Sequence, residues 1–297
     1  MCNFFQVTKT TYGPCSIGKK KTLQSQDSSW LLKDNDAIHL CWKEHFKLFL
    51  NRESTIAEEI LQAIPQCLVV YSLGSPPTNG ELKWAIQQMK TNKACGPDGI
   101  PTEVYHVGGF QLTSPLYQLI LHLWIPRDLK NATIVTIYKK GDKSDCRNYR
   151  GIFLLSIAGK ILPHILLNHL RPITEEILPE THCGFQPSQG TTNMVFVARQ
   201  IQEKCQKQNQ ELFVIFIDLT KALNSLNCEA LWTTFQCLGC PLEFFTMLRL
   251  LHDDMTTTVL SERSETDAFH IWTRVKQGCV IAPTLFTIYL TIIIHLI

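Results

Sequence analysis

Residues 212–218 read LFVIFID, an almost continuous apolar run that ends in a carboxylate. A run of aliphatic and aromatic residues of this length predicts a strand that is buried on both of its faces. Asp218 would then stand at the end of that strand, just before the polar residues Thr220 and Lys221. A carboxylate in this position either caps a following helix or belongs to a chemical site, and the run alone leaves both interpretations open.

Helical and strand patterns surround this run on both sides, which predicts an α+β fold. Thr78 followed by Glu81 is typical of a capping box, and the turn-rich segment before it predicts a domain boundary near Ser75. The polar residues 1–36 show little periodicity and predict a loose lead-in. The predicted helices cover residues 37–50, 56–64, 78–89, 112–124, 157–170, 193–207, 228–238 and 242–251, and the predicted strands cover 132–138, 212–218, 256–260 and 268–275.

Composition limits the class of protein. A chain of 297 residues with 45% hydrophobic and 18% charged residues can bury a core and is too apolar to be disordered. The formal charge of +2 means that any nucleic-acid surface must arise from local clusters of Lys and Arg. The 12 cysteines are irregularly spaced and no secretory signal opens the chain, so we expect reduced thiols and an intracellular location, in cytoplasm or nucleus. Cys237 and Cys240 lack the second pair that a zinc site requires.

The run from Val280 to Ile297 has almost the length and apolarity of a membrane span. It also contains Pro283 and His295 and has no Lys or Arg anchors, a pattern that fits an internal helix equally well. We favour the internal helix and do not expect a membrane partner.

Positive charge is concentrated at one predicted turn. Lys139, Lys140 and Arg150 follow the predicted strand 132–138 and could hold a polyphosphate, while Asp218 could hold a divalent metal against the same phosphates. This combination suggests nucleotidyl transfer. A solvated basic turn and a helix-capping Asp are the alternatives.

Four blocks occur in order along the chain: KACGPDGIP at 93–101, IYKKGDKSDCRNYRGIFLLSIAGKI at 137–161, FIDLTKALNSLN at 216–227 and RVKQGCVIAPTLF at 274–286. Together they resemble the successive motifs of the non-LTR (LINE-type) retrotransposon reverse transcriptases. The resemblance implies a right-hand polymerase fold. We expect a lead-in and small helical region at 1–75, fingers at 76–210 and an incomplete palm at 211–297.

The resemblance also implies roles for single residues. Lys139 or Lys140, with Arg150, would hold the incoming deoxynucleoside triphosphate, and Gln277 with Gly278 would lie against nucleotide and template. The substrates would be an RNA template and a DNA primer.

The metal site implied by the resemblance would hold Mg²⁺ or Mn²⁺. Asp218 would be its first carboxylate ligand, and Leu219 would lend a backbone carbonyl.

Departures from the family pattern weaken this expectation. Leu223 replaces the aromatic residue that screens the sugar 2′-hydroxyl, and Asn224 replaces an acidic residue. The family's Tyr/Phe-Ala-Asp-Asp motif does not occur before Ile297, so we expect a carboxyl-terminally truncated domain without turnover. A non-catalytic nucleic-acid-binding protein and a membrane-tethered interaction protein remain the alternatives.

Overall fold

The structure is a computed structural model that describes residues 22–25, 30–51, 56–122, 126–186, 189–218, 226–261, 264–272, 275 and 278–296. It combines seven strands with eleven α-helices and two short 3-10 helices in this part of the chain. The strands are β1 Leu23–Gln24, β2 Leu31–Leu32, β3 Ala132–Tyr138, β4 Tyr149–Leu155, β5 Met255–Ser261, β6 Ser264–Glu265 and β7 Phe269–Ile271. The helices are α1 Asn35–Leu50, α2 Glu58–Gln62, α3 Asn79–Gln88, α4 Thr102–Val107, α5 Gly109–Leu121, α6 Arg127–Lys130, α7 Ala158–Ile177, α8 Thr191–Lys207, α9 Cys228–Cys237, α10 Leu242–His252 and α11 Ala282–His295.

The main sheet is built around β3. This strand pairs antiparallel with β4, so that Ala132 lies opposite Leu155 and Tyr138 opposite Tyr149. Its other edge pairs in parallel with β5, where Ala132 lies beside Thr257. Strands β6 and β7 both pair antiparallel with β5. The predicted strand 132–138 and the predicted pairing of two later strands are therefore confirmed. The second of those strands was predicted at 268–275 and covers only Phe269–Ile271.

Helix α1 covers one face of this sheet with aromatic side chains. The Trp42 ring meets Tyr149 of β4 edge to face at a centroid distance of 5.1 Å. Phe46 fills the space above Gly151, where a Cβ atom would lie 2.7 Å from the Phe46 ring. A glycine at this position in β4 therefore lets the helix approach the sheet closely.

The remaining helices bury a continuous core with the sheet. Helix α7 packs against α3, α10 and α11, and α11 also packs against α9. Leu285 and Ile288 of α11 are fully buried in the same core as Ile161 of α7. The apolar run after Val280 is thus an internal helix, as predicted. Within the described ranges, no helix combines the length and the apolarity needed to cross a bilayer.

The predicted strand 212–218 is wrong. The segment has no strand pairing, and its apolar side chains are exposed, with Phe216 93% accessible. A strand requires a neighbour that pairs its backbone groups, and this segment pairs with neither edge of the sheet. Helix α8, which precedes it, has no buried residue. The chain from 189 to 218 therefore stays outside the core.

The amino terminus of α3 is a capping box, as the sequence predicts. The Thr78 hydroxyl accepts a hydrogen bond from the Glu81 amide at 3.2 Å, and the Thr78 amide donates to Glu81 Oε2 at 2.7 Å. Glu81 Oε1 also contacts Nε2 of His169 on α7 at 2.5 Å. Burial alone would raise the pKa of Glu81, but the hydrogen bonds from Thr78 and His169 outweigh it and hold that pKa below its ordinary value.

We expect Thr78→Ala to lower the free energy of unfolding by about 1 kcal/mol, because it removes the hydroxyl that caps α3. Thr78→Ser keeps a capping hydroxyl and should unfold close to the native chain. Urea unfolding followed by circular dichroism measures both. An alanine variant as stable as the serine variant would contradict the role of this cap.

We expect the exposed apolar segment 212–217 to drive self-association. Phe213→Lys with Phe216→Lys should raise the protein concentration at which light scattering begins by roughly severalfold, without lowering the melting temperature. Leu68→Lys with Val107→Lys is the matched control, since it adds the same charge at two side chains outside this segment that are 91% and 83% exposed. Equal improvement from the control would assign the effect to net charge instead of this segment.

Candidate nucleotide-binding site

The turn between β3 and β4 is held in shape by its own backbone and polar side chains. The Lys139 amide donates to the Asn148 carbonyl at 2.8 Å, and Asn148 Nδ2 donates to the Asp142 carbonyl at 2.8 Å. Asp142 Oδ1 accepts from the Ser144 amide at 2.9 Å, and this hydrogen bond lowers the Asp142 pKa. Gly141 has a φ of +96°, which L side chains rarely adopt. The local sequence therefore fixes the turn.

Two of the cations in this block are engaged within the turn itself. Arg147 contacts both carboxylate oxygens of Asp145 at 2.9–3.0 Å, and this pairing lowers the Asp145 pKa. The Lys143 ammonium lies 5.4 Å from the centre of the Tyr138 ring. Asp145 offsets the charge of Arg147, and the ring contact holds Lys143 within the turn.

Three other cations remain available to a ligand. Lys139, Lys140 and Arg150 are exposed, and no ion pair joins them to another described residue. Arg150 lies directly opposite Ile137 in the β3–β4 ladder. Because side chains alternate along a strand, Arg150, Ile137 and Lys139 fall on the same face, opposite the face that α1 covers. Lys140 follows at the start of the turn.

Apolar side chains accompany these cations on the uncovered face. Ile137 is 48% exposed, and Ile152, two residues beyond Arg150, is 42% exposed. A face that combines cations with accessible apolar groups can contact phosphates through the cations and a sugar or base through the apolar groups.

At two glycines, the backbone of another sequence block packs directly against β4 or the residue that follows it. A Cβ atom at Gly278 would lie 2.8 Å from the Phe153 carbonyl oxygen, and one at Gly96 would lie 2.4 Å from the Ser156 amide nitrogen. Neither contact leaves room for a side chain. The backbones of blocks 93–101 and 274–286 therefore reach the same strand that carries Arg150.

Lys160 was not singled out from the sequence, although it lies within block 137–161. Burial lowers the pKa of this half-buried lysine, while nearby Asp98 and Cys279 oppose that shift. Asp98 also contributes to the raised pKa of Tyr105, which is due first to burial. Residues of blocks 93–101 and 274–286 therefore lie near this lysine of block 137–161. In the sequence, the indication of a role for Lys160 was its position in block 137–161. The helical periodicity of this region did not distinguish it from its neighbours.

The block that contains Asp218 does not join this arrangement. Asp218 is exposed at the end of the unpaired segment 212–218. Leu219, Leu223 and Gln277 lie outside the described residues. Among the described residues no three His, Cys, Asp or Glu side chains are grouped so that they could hold a metal ion. The described donor set therefore does not fit a divalent cation.

Asp253 and Asp254 follow the end of α10. Asp253 contacts Arg249 one turn earlier at 3.2 Å, and Asp254 lies 3.6 Å from the ring of His270. Buried His252 directs Nδ1 to the Leu248 carbonyl at 2.8 Å. These contacts stabilise the helix end.

Comparison with known proteins identifies the family. Residues 137–297, more than half of the chain, match the family described as reverse transcriptase (RNA-dependent DNA polymerase). The sequence is 23% identical over 220 residues to the transposon TX1 uncharacterized 149 kDa protein of Xenopus laevis, covering 73% of this chain and 17% of that protein. It is 23% identical over 223 residues to the RNA-directed DNA polymerase from mobile element jockey of Drosophila melanogaster, covering 72% of this chain and 24% of the relative.

A third relative is the 115 kDa protein in the type-1 retrotransposable element R1DM of Drosophila melanogaster. It is 27% identical over 160 residues, which cover 50% of this chain and 14% of that protein. The chain thus spans a quarter or less of the length of these relatives. The family match and the transposable elements named for these relatives agree with the four blocks read from the sequence. The chain belongs to the reverse transcriptase family, among those of non-LTR retrotransposons.

Proposed function

We propose that residues 76–210 form the fingers, and residues 211–297 part of the palm, of an RNA-directed DNA polymerase domain. Its ligands would be an RNA template, a DNA primer and deoxynucleoside triphosphates. The observation that carries this proposal is the set of three exposed cations, Lys139, Lys140 and Arg150, on the uncovered end of the β3–β4 hairpin.

The cations of this hairpin differ in whether they form an ion pair within the described residues, and this difference supports the assignment. Arg147 has its own carboxylate in Asp145, whereas Arg150, three residues later, has no ion pair among the described residues. A phosphate would supply the missing counter-charge and accept hydrogen bonds from the guanidinium. Since the formal charge of the whole chain is only +2, binding would depend on this local cluster.

Gly278 supports the proposed contact of block 274–286 with nucleotide and template. Its backbone adjoins Phe153, three residues along β4 from Arg150. A ligand held by Arg150 could therefore extend along β4 toward Gly278. The proposed roles of Gln277 at the template and of Leu223 at the sugar rest on their places in the sequence blocks.

We propose further that the 297-residue chain alone binds these ligands without extending a primer. Reverse transcriptases use divalent metal ions, and nucleotidyl transfer requires carboxylates held at fixed positions. Asp218 follows an exposed segment that no neighbouring strand holds. A nucleic-acid-binding role without catalysis is favoured by a difference between the two groups of residues. The three cations lie on or beside a paired hairpin, whereas Asp218 ends an unpaired segment.

We expect alanine at Arg150 to weaken binding of an RNA–DNA primer–template by about tenfold at low salt, because one charge-assisted phosphate contact is lost. The slope of log affinity against log salt should fall by roughly one. Lys139→Ala with Lys140→Ala should act in the same direction. Fluorescence anisotropy across a salt series measures each effect.

Lys47→Ala is the matched control for this experiment. Lys47 is an exposed cation in the last turn of α1, which covers the opposite face of the sheet. Its replacement should leave both affinity and salt slope unchanged. Equal losses from Lys47 and Arg150 would show that binding follows overall charge, and the proposed site would be wrong.

For catalysis, we expect no primer extension by the native chain on an RNA template with Mg²⁺ or Mn²⁺. A version extended by the palm segment that carries the family's Tyr/Phe-Ala-Asp-Asp motif should extend primers, and Asp218→Ala in that version should abolish extension. Gel-resolved products measure all three. Incorporation by the native chain that depends on Asp218 would overturn the proposal that this chain is inactive alone.

A further inference from the structure

Two buried cysteines from distant parts of the chain have sulfur atoms in contact. Sγ of Cys41 on α1 lies 3.6 Å from Sγ of Cys146 in the β3–β4 turn, and 105 residues separate them. Their exposed fractions are 5% and 7%. The Cys41 sulfur also lies 3.5 Å from the Gln24 carbonyl oxygen. Neither cysteine belongs to the proposed ligand site.

The surrounding contacts hold these two thiols in place. Trp42, next to Cys41, packs edge to face on Tyr149, which follows the short 3-10 helix that contains Cys146. The Tyr149 hydroxyl donates to the Lys143 carbonyl at 2.8 Å, which ties the turn to the same aromatic group. A disulfide has a sulfur–sulfur distance of about 2.05 Å, so the sulfurs must approach by only about 1.5 Å. Rotation of the side chains can supply that movement.

The two thiols are chemically unequal. Either sulfur can donate to the other, and when Cys146 is the donor its S–H group stabilises a thiolate on Cys41. This hydrogen bond lowers the pKa of Cys41, while the same contact and burial raise the pKa of Cys146. Cys41 is therefore the thiol that ionises first, and the thiolate is the nucleophile.

We propose that Cys41 and Cys146 are a reversible redox pair that forms a disulfide between α1 and the β3–β4 turn. The oxidant is a small peroxide, which can reach buried sulfurs more readily than a bulky disulfide. The Cys41 thiolate attacks one peroxide oxygen and becomes a sulfenic acid, while hydroxide leaves. Cys146 then attacks the Cys41 sulfur, the new S–S bond forms, and the S–O bond breaks. Together the two thiols give up two electrons and two protons, and each equivalent of hydrogen peroxide becomes two waters.

This disulfide would link the core helix to the β3–β4 hairpin, which carries Lys139, Lys140 and Arg150. Because it closes a long loop, it restricts the unfolded chain strongly. We expect the oxidised chain to melt at a higher temperature than the reduced chain, by on the order of 10 °C, and dithiothreitol to reverse the shift. The inference does not depend on whether the chain binds nucleotides.

The test uses the full chain, reduced, freed of reductant and treated with hydrogen peroxide. Remaining thiols are then alkylated under denaturing conditions, and the chain is digested without reduction. Mass spectrometry should find a linked peptide pair that contains Cys41 and Cys146, lighter than the reduced pair by two hydrogens. Both cysteines recovered as alkylated thiols, or found linked to other cysteines, would overturn the proposal.

Variants supply a second measurement. Cys41→Ser and Cys146→Ser should each remove both the linked peptide and the peroxide-dependent rise in melting temperature. Cys67→Ser is the matched control, because Cys67 is exposed and its backbone adjoins Cys237, which offers a competing thiol. A rise that persists in Cys146→Ser but disappears in Cys67→Ser would refute the Cys41–Cys146 pair. Peptide mapping of the native chain decides the question if a serine variant fails to fold.

Discussion

The parallel pairing of β3 with β5 is the constraint on which the rest of the fold depends. It joins residues about 125 positions apart, and the Thr257 hydroxyl donates to the Ala132 carbonyl at 2.8 Å across this junction. Parallel strands cannot be joined by a tight turn, so the intervening chain must cross over and return. Helices α7, α9 and α10 in that stretch contribute to the buried core, whereas α8 remains outside it. With β3 fixed in the middle, β4 becomes the outer strand of the hairpin that carries the cations.

Local structure followed from the sequence because its causes are local. The capping box at Thr78 and Glu81 can start a helix whatever the rest of the fold. Apolar periodicity predicted the bounds of most other helices to within a few residues. Pairing between distant strands has no such local signal. The β3–β5 junction was not predicted, and the run 212–218 was expected to be a buried strand because its composition suits one. The composition of a segment shows that it could pair with another strand. It does not show whether the fold places such a strand beside it.

The same distinction explains what could be predicted of the site. The sequence predicts Lys139, Lys140 and Arg150 as candidate ligands of phosphate. The geometry adds that Lys143 and Arg147 in the same turn contact neighbouring side chains. That division depends on the shape of the turn, which charge counting does not reveal. Lys160 was overlooked because its neighbours Asp98 and Cys279 come from other blocks. Only the folded chain brings those three side chains together.

The proposed binding site therefore depends on contacts within one hairpin, whereas a catalytic carboxylate site depends on contacts between distant parts of the chain. The cations proposed to hold phosphates need only a hairpin whose turn is closed by contacts within residues 138–149, and those contacts are all present. A carboxylate site needs several side chains held to within a fraction of an ångström, which requires paired strands and a packed core beneath them. Residues 212–218 have neither. Cation placement can thus persist in a chain where carboxylate placement does not, because the hairpin is stabilised independently of the segment that carries Asp218.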